Sequence, residues 1–83
     1  MAKQRILVVD DEDDIRELVS YTLKRENYDV LSAADGETAL DKARTRRPDL
    51  IVLDLMLPGM DGLEVCRRIR QDDETKNIPV VML

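Results

Sequence analysis

Short apolar runs along the chain alternate with longer stretches in which apolar residues recur every three or four positions. The continuous runs are typical of buried β-strands, and the amphipathic stretches are typical of helices. Four strands are predicted, at residues 5–9, 29–34, 50–54 and 78–83. Three helices are predicted, at residues 13–26, 35–44 and 61–70. This β-α-β-α-β-α-β order predicts an α/β fold with a parallel sheet and helices on both faces.

The second and third helices carry start signals. Asp35 and Asp61 stand where N-caps are expected, and Glu64 follows Asp61 at the spacing of a capping box. Three helices cover both faces of a four-stranded sheet only incompletely, so we expect an open apolar edge at the last strand. The side chains predicted to face the core from the third helix are Leu63, Cys66 and Ile69.

The acidity of the chain is local. There are 18 acidic and 13 basic residues in 83, giving a net charge of −5, and residues 10–14 are five consecutive acids. The rest of the chain is electrically balanced once these five are set aside. Such a concentration of charge indicates a site rather than a generally acidic surface.

Two predicted strands end in carboxylates, the first at Asp10-Asp11 and the third at Asp54. If these strands are neighbours, the carboxylates lie about 5 Å apart across the sheet. Neither strand end carries Lys or Arg, so a hard divalent cation such as Mg²⁺ is the expected counter-charge. Asp13 and Asp14 fit the first turn of a helix, and each strand-end acid alone would fit a cap.

Other cation and phosphate sites are excluded by what the sequence lacks. It has no His and one Cys, which rules out an internal disulfide and argues against zinc. An EF-hand fails because Ile15 stands where the turn glycine belongs. Neither a GxxxxGK[ST] loop nor a GxGxxG turn is present, which argues against nucleotide binding.

Membrane and nucleic-acid partners are not expected either. No run approaches the roughly 18 apolar residues of a membrane helix, and the lone cysteine fits a reducing cytoplasm. The basic residues Arg67, Arg68 and Arg70 fit a solvated helix face. With 2% aromatic residues the chain offers no base-stacking platform.

Three stretches together resemble the receiver (CheY-like) domain of two-component response regulators. They read "ILVVDDE", "PDLIVLDLMLPGMDGLEVCRRIR" and "IPVVML", and the "LMLPGMDG" loop is most similar to the OmpR/PhoB type. The resemblance implies a flavodoxin-like sheet with strand order 2-1-3-4. It also implies a phosphoacceptor signalling module rather than an enzyme, in a parent protein that regulates transcription.

The resemblance also implies roles for single residues. Asp54 becomes the phosphoacceptor, and a sensor histidine kinase becomes the phosphodonor. Ile15 and Leu18 then belong to the kinase-facing surface, although both also fit the core. The expected Mg²⁺ ligands are Asp11, Asp54, the backbone carbonyl of Met56 and, through water, Asp10.

Receiver domains continue past their fourth strand, so residues 1–83 are expected to be the N-terminal two-thirds of one. The Ser or Thr and the Lys that meet the phosphoryl group in this family would then lie beyond Leu83. Two alternatives stay open. One is a non-signalling fragment that self-associates through residues 78–83, and the other is a metal-dependent phosphotransfer enzyme of another family. The enzyme is disfavoured because no second acid–base residue is identifiable.

Overall fold

The computed structural model describes residues 3–83 and places four parallel strands in one sheet. The sheet order is β2-β1-β3-β4, and each neighbouring pair runs parallel. The strands are β1 Arg5–Val9, β2 Asp29–Ala33, β3 Leu50–Leu53 and β4 Val80–Met82. The predicted α/β class and the strand order 2-1-3-4 are confirmed.

The second and third helices begin where their capping signals predict. Asp35 Oδ1 accepts a hydrogen bond from the Thr38 amide at 2.8 Å, and Asp61 Oδ1 accepts one from the Glu64 amide at 2.9 Å. None of the helices within residues 3–83 is long and apolar enough to cross a bilayer. The helices are α1 Asp13–Arg25, α2 Gly36–Arg46 and α3 Gly62–Gln71.

The two faces of the sheet are covered by different helices. Alternate strand residues such as Leu7 and Ile51 are fully buried in one core with α2 and α3. Ile6 and Val8 are also buried, yet they lie outside that cluster, and α1 contacts β1 and β2. Because successive strand residues point to opposite faces, α1 covers the second face of the sheet. Helices therefore lie on both faces, as predicted.

The core-facing side of α3 differs from the prediction. Val65 and Ile69 are fully buried, Cys66 is half-buried, and Leu63 is 65% exposed. Residues four apart in a helix lie one above the other, so Val65 and Ile69 form the buried row. Gly62 extends this row at the start of the helix, and Leu63 points away from it. The prediction of Leu63 as a core residue was wrong.

The last strand is shorter than its apolar run. The Ile78 amide donates to the Thr75 carbonyl at 3.0 Å, so Ile78 still belongs to the preceding turn. Pairing with β3 runs from Val80 to Met82, and β4 forms one edge of the sheet. Val81 on this strand is 47% exposed. The expected apolar edge is present among the described strands.

Candidate metal centre

The strand register brings the two acidic strand ends together. Val9 and Leu53 are partners in the adjacent strands β1 and β3, so Asp10 and Asp54 follow at the same level. The Asp54 amide donates to the Val9 carbonyl at 2.9 Å. One carboxylate oxygen from each of Asp10, Asp11 and Asp54 lies within 4.8 Å of the other two. The predicted convergence of these three acids is therefore present in the structure.

The three acids have different surroundings. Asp10 is 6% exposed, its amide donates to Ala33, and its Oδ1 accepts a hydrogen bond from the Glu12 amide at 2.9 Å. Asp11 is exposed, and Asp54 is half-buried. Asp10 is thus the buried, hydrogen-bonded member of the cluster, whereas Asp11 and Asp54 are accessible to solvent.

The loop after β3 is closely packed against the start of α3. The Gly62 amide donates to the Leu55 carbonyl at 3.0 Å, and the Met56 amide donates to Asp54 Oδ1 at 3.0 Å. These bonds place the Met56 backbone beside the Asp54 carboxylate, although its side chain is 79% exposed. The role of the Met56 carbonyl as a ligand stays a prediction.

One basic side chain contacts the acidic row within residues 3–83, namely Arg16 on α1. Its Nη1 donates to the Asp10 carbonyl at 2.9 Å, and its Nη2 pairs with Asp13 Oδ1 at 2.5 Å. Neither bond reaches a carboxylate of the three-acid cluster. The only sequence signal for Arg16 is its place as the first basic residue after five acids.

The donor set fits a hard divalent cation. Three carboxylates that share a space of this size repel one another, and burial makes an uncompensated charge costly. Oxygen ligands suit Mg²⁺, which commonly keeps several waters beside one or two protein carboxylates. The residues present therefore match the expected ion in both charge and ligand type.

The two predicted partner-binding residues lie on the surface of α1. Ile15 is 40% exposed and Leu18 is 65% exposed, and no residue of α1 is fully buried. The half-buried apolar residues of this helix are Val19 and Leu23. Within residues 3–83, Ile15 and Leu18 are surface rather than core residues, because the sheet takes up the other side of the helix.

The basic residues of α3 are engaged within the chain. Arg67 and Arg68 both hydrogen-bond the Glu64 carboxylate, and these bonds lower the pKa of Glu64 to about 2. Arg70 Nη1 donates to the carbonyls of Lys76 and Ile78. Arg67 and Arg68 thus neutralise Glu64 at the start of α3. Arg70 links α3 to the turn before β4 by its two hydrogen bonds.

The sequence of residues 6–83 matches the family described as the response regulator receiver domain. The alkaline phosphatase synthesis transcriptional regulatory protein PhoP of Bacillus subtilis is 55% identical over 80 residues, which are 96% of this chain and 32% of PhoP. The chain thus spans about a third of the length of the curated relatives it matches.

Solved structures agree with the fold. The chemotaxis protein CheY4 of Vibrio cholerae is 41% identical with a TM-score of 0.93, covering 98% of this chain and 68% of that one. The receiver domain of the sensor histidine kinase PA1611 from Pseudomonas aeruginosa is 32% identical, with a TM-score of 0.92. It covers 98% of this chain and 66% of that one, and it was solved with a magnesium ion in its active-site cleft.

Proposed function

The chain belongs to the response regulator receiver domain family, and we propose that it is the phosphoacceptor module of a two-component relay. In this proposal a sensor histidine kinase phosphorylates Asp54 in a Mg²⁺-dependent reaction. Residues 1–83 form the N-terminal two-thirds of the receiver domain, and the parent protein regulates transcription. The observation that carries the proposal is the convergence of Asp10, Asp11 and Asp54 at one sheet edge.

Asp54 has the position that a nucleophile requires. It follows the buried end of β3, its Oδ1 is oriented by the Met56 amide, and the side chain is half-buried rather than enclosed. A carboxylate oxygen of Asp54 attacks phosphorus while the bond from phosphorus to the donor's imidazole nitrogen breaks. The electron pair of that bond stays on the nitrogen, and Asp54 becomes an acyl phosphate.

Asp11, Asp54, the Met56 carbonyl and, through water, Asp10 would hold the ion. When bound, Mg²⁺ supplies positive charge that offsets repulsion between carboxylate and phosphoryl group. The chain's own contribution is to hold the acids at this spacing before the donor arrives. Preorganised groups of this kind need no rearrangement during the reaction.

Phosphorylation is tested with a small donor, so that no cognate kinase is needed. The purified chain is incubated with acetyl phosphate and MgCl₂, and intact mass spectrometry should show one added phosphoryl group. Asp54→Asn should abolish the adduct, as should chelation of the metal. Asp41→Asn, which removes an exposed acid from α2, should keep it. No adduct in a sample that circular dichroism shows to be folded would refute phosphoacceptor activity of residues 1–83.

The alternative of a non-signalling fragment that self-associates through residues 78–83 is not favoured, since PhoP is named as a transcriptional regulator. The edge strand β4 nevertheless exposes Val81, and Leu83 after it is 64% exposed. Light scattering on the same sample measures self-association directly. A monomer that accepts phosphate would dismiss the alternative, and an oligomer that accepts none would restore it.

A further inference from the structure

The guanidinium of Arg16 bridges two points of the turn between β1 and α1. It donates to the Asp10 carbonyl through Nη1 and to Asp13 Oδ1 through Nη2, and its side chain is 20% exposed. We propose that Arg16 is a positioning residue for the metal site: it fixes the turn that presents the Asp11 carboxylate. This inference rests on the proposed function, because the ion it serves is the Mg²⁺ of that site.

The contact acts on Asp11 through the backbone. The Asp10 carbonyl and the Asp11 amide belong to one planar peptide unit, so fixing the carbonyl fixes the plane from which Asp11 departs. On the other side of Asp10, the amide is bound to the Ala33 carbonyl at 3.1 Å. Asp10 is therefore anchored to β2 on one side and to α1 on the other.

Packing cannot replace this anchor at Asp11. That residue is exposed, and it lies in the turn between β1 and α1 rather than in either element. Asp10 is buried, and Asp54 continues the pairing of β3 with β1 through its amide. Of the three acids, Asp11 depends most on the conformation of its turn. Arg16 supplies the one side-chain contact to that turn's backbone carbonyls within residues 3–83.

Removal of Arg16 has two opposite expected effects on Mg²⁺ affinity. One comes from the loss of its charge, and the other from the loss of its hydrogen bond to the turn. A guanidinium near the acids repels a divalent cation, so the loss of its charge alone would tighten Mg²⁺ binding. The loss of the anchor would weaken binding, because Asp11 would no longer start from the right geometry. Groups that orient metal ligands typically contribute about 10- to 100-fold to affinity. We therefore expect weaker binding despite the more negative site.

Calorimetric titration of MgCl₂ into the metal-free chain measures this difference. Arg16→Met keeps the apolar stem and should weaken Mg²⁺ binding by about 10-fold or more. Arg16→Lys keeps the charge but lacks the planar fork, so it should also weaken binding. Arg44→Met removes an equal charge from the exposed pair with Asp72. It should leave the affinity within about twofold of the wild type, because exposed distant charges are screened.

Amide hydrogen exchange gives a second readout that needs no metal. The Glu12 amide is bonded to Asp10 Oδ1, so it should exchange faster in Arg16→Met and unchanged in Arg44→Met. Unchanged exchange, or Mg²⁺ binding that is unchanged or tighter in Arg16→Met, overturns the inference. If the wild type binds no Mg²⁺, the proposed function fails, and the exchange rate alone decides whether Arg16 orders the turn.

Discussion

A β-carbon on Gly62 would lie 2.5 Å from the backbone carbonyl oxygen of Asp54. The same β-carbon would lie 2.8 Å from the Leu55 Cα, so it meets backbone rather than a movable side chain. The first residue of α3 therefore has to be glycine for the loop after β3 to pass so close. This approach fixes the backbone from which the proposed nucleophile projects.

Gly62→Ala should destabilise the fold and displace Asp54. Overpacking of this kind costs about 1–3 kcal/mol, against at most about 1 kcal/mol gained from the higher helix propensity of alanine. Urea unfolding should show the loss, and acetyl phosphate labelling of the folded fraction should be slower. Gly59→Ala is the matched control. It is strained by a φ of +74° but meets no atom within 4 Å, so it should lose stability without slower labelling.

Asp54→Asn should stabilise the metal-free chain. The amide oxygen can still accept the Met56 hydrogen bond, so the substitution removes mainly the repulsion with Asp10 and Asp11. Two unit charges 4 Å apart repel by between about 1 kcal/mol in water and about 4 kcal/mol near a protein surface. Because the cluster is partly exposed, we expect a gain of about 1 kcal/mol by urea unfolding in a chelator.

With Mg²⁺ present, the wild type should instead be more stable than Asp54→Asn. Binding to the native state alone raises the stability of the wild type, and Asp54→Asn should respond less. Asp41→Asn should match the wild type in both conditions. If Asp54→Asn is no more stable than the wild type without metal, the expected repulsion of Asp54 by Asp10 and Asp11 is contradicted.

Acid should destabilise the fold partly through Glu64. The bonds from Arg67 and Arg68 lower its pKa from 4.5 to about 2, so the folded state binds this proton less readily than the unfolded state. The resulting stability is fully present above about pH 4.5 and is lost as the pH falls towards 2. Glu64→Gln should therefore be less stable at pH 7 and lose less stability on acidification.

Thermal unfolding at pH 7 and at about pH 3 compares the wild type with that variant. Glu37→Gln removes the same charge from the first turn of α2 and should retain the wild-type loss. Asp35 and Asp72 also have lowered pKa values, through hydrogen bonds from the Thr38 and Glu74 amides. Asp35 and Asp72 remain in both variants. If Glu64→Gln lost as much stability on acidification as the wild type, Glu64 would not be a source of the acid sensitivity.

Leu18→Ser should reduce phosphotransfer from a kinase without changing chemical labelling. Leu18 is 65% exposed on α1, and loss of an apolar anchor at an interface typically weakens docking by about tenfold or more. The measurement is transfer from a phosphorylated sensor histidine kinase that labels the wild type. Leu63→Ser is the control, because Leu63 has the same exposure on α3. Equal loss in both variants would contradict a kinase-facing surface on α1.

Much of the fold follows from local patterns. The structure contains the features that depend on residues within a few positions of each other. These are the strand runs, the caps at Asp35 and Asp61, and the position of Asp54 at a strand end. The face of α3 does not. Leu63 and Ile69 both fit a helical period, and only the packing against the sheet shows that Val65 shares the buried row while Leu63 does not.

The order of the elements and the acids at two strand ends follow from the sequence alone, because periodicity and capping are properties of neighbouring residues. Local patterns leave the neighbours of each strand open; the resemblance to receiver domains implies that β1 and β3 are adjacent. The tertiary structure shows this adjacency, which brings Asp54 to Asp10 and Asp11. It also decided that Arg16 reaches the Asp10 carbonyl and that Gly62 faces the Asp54 backbone. Contacts of this kind depend on how whole elements pack, which a local pattern does not encode.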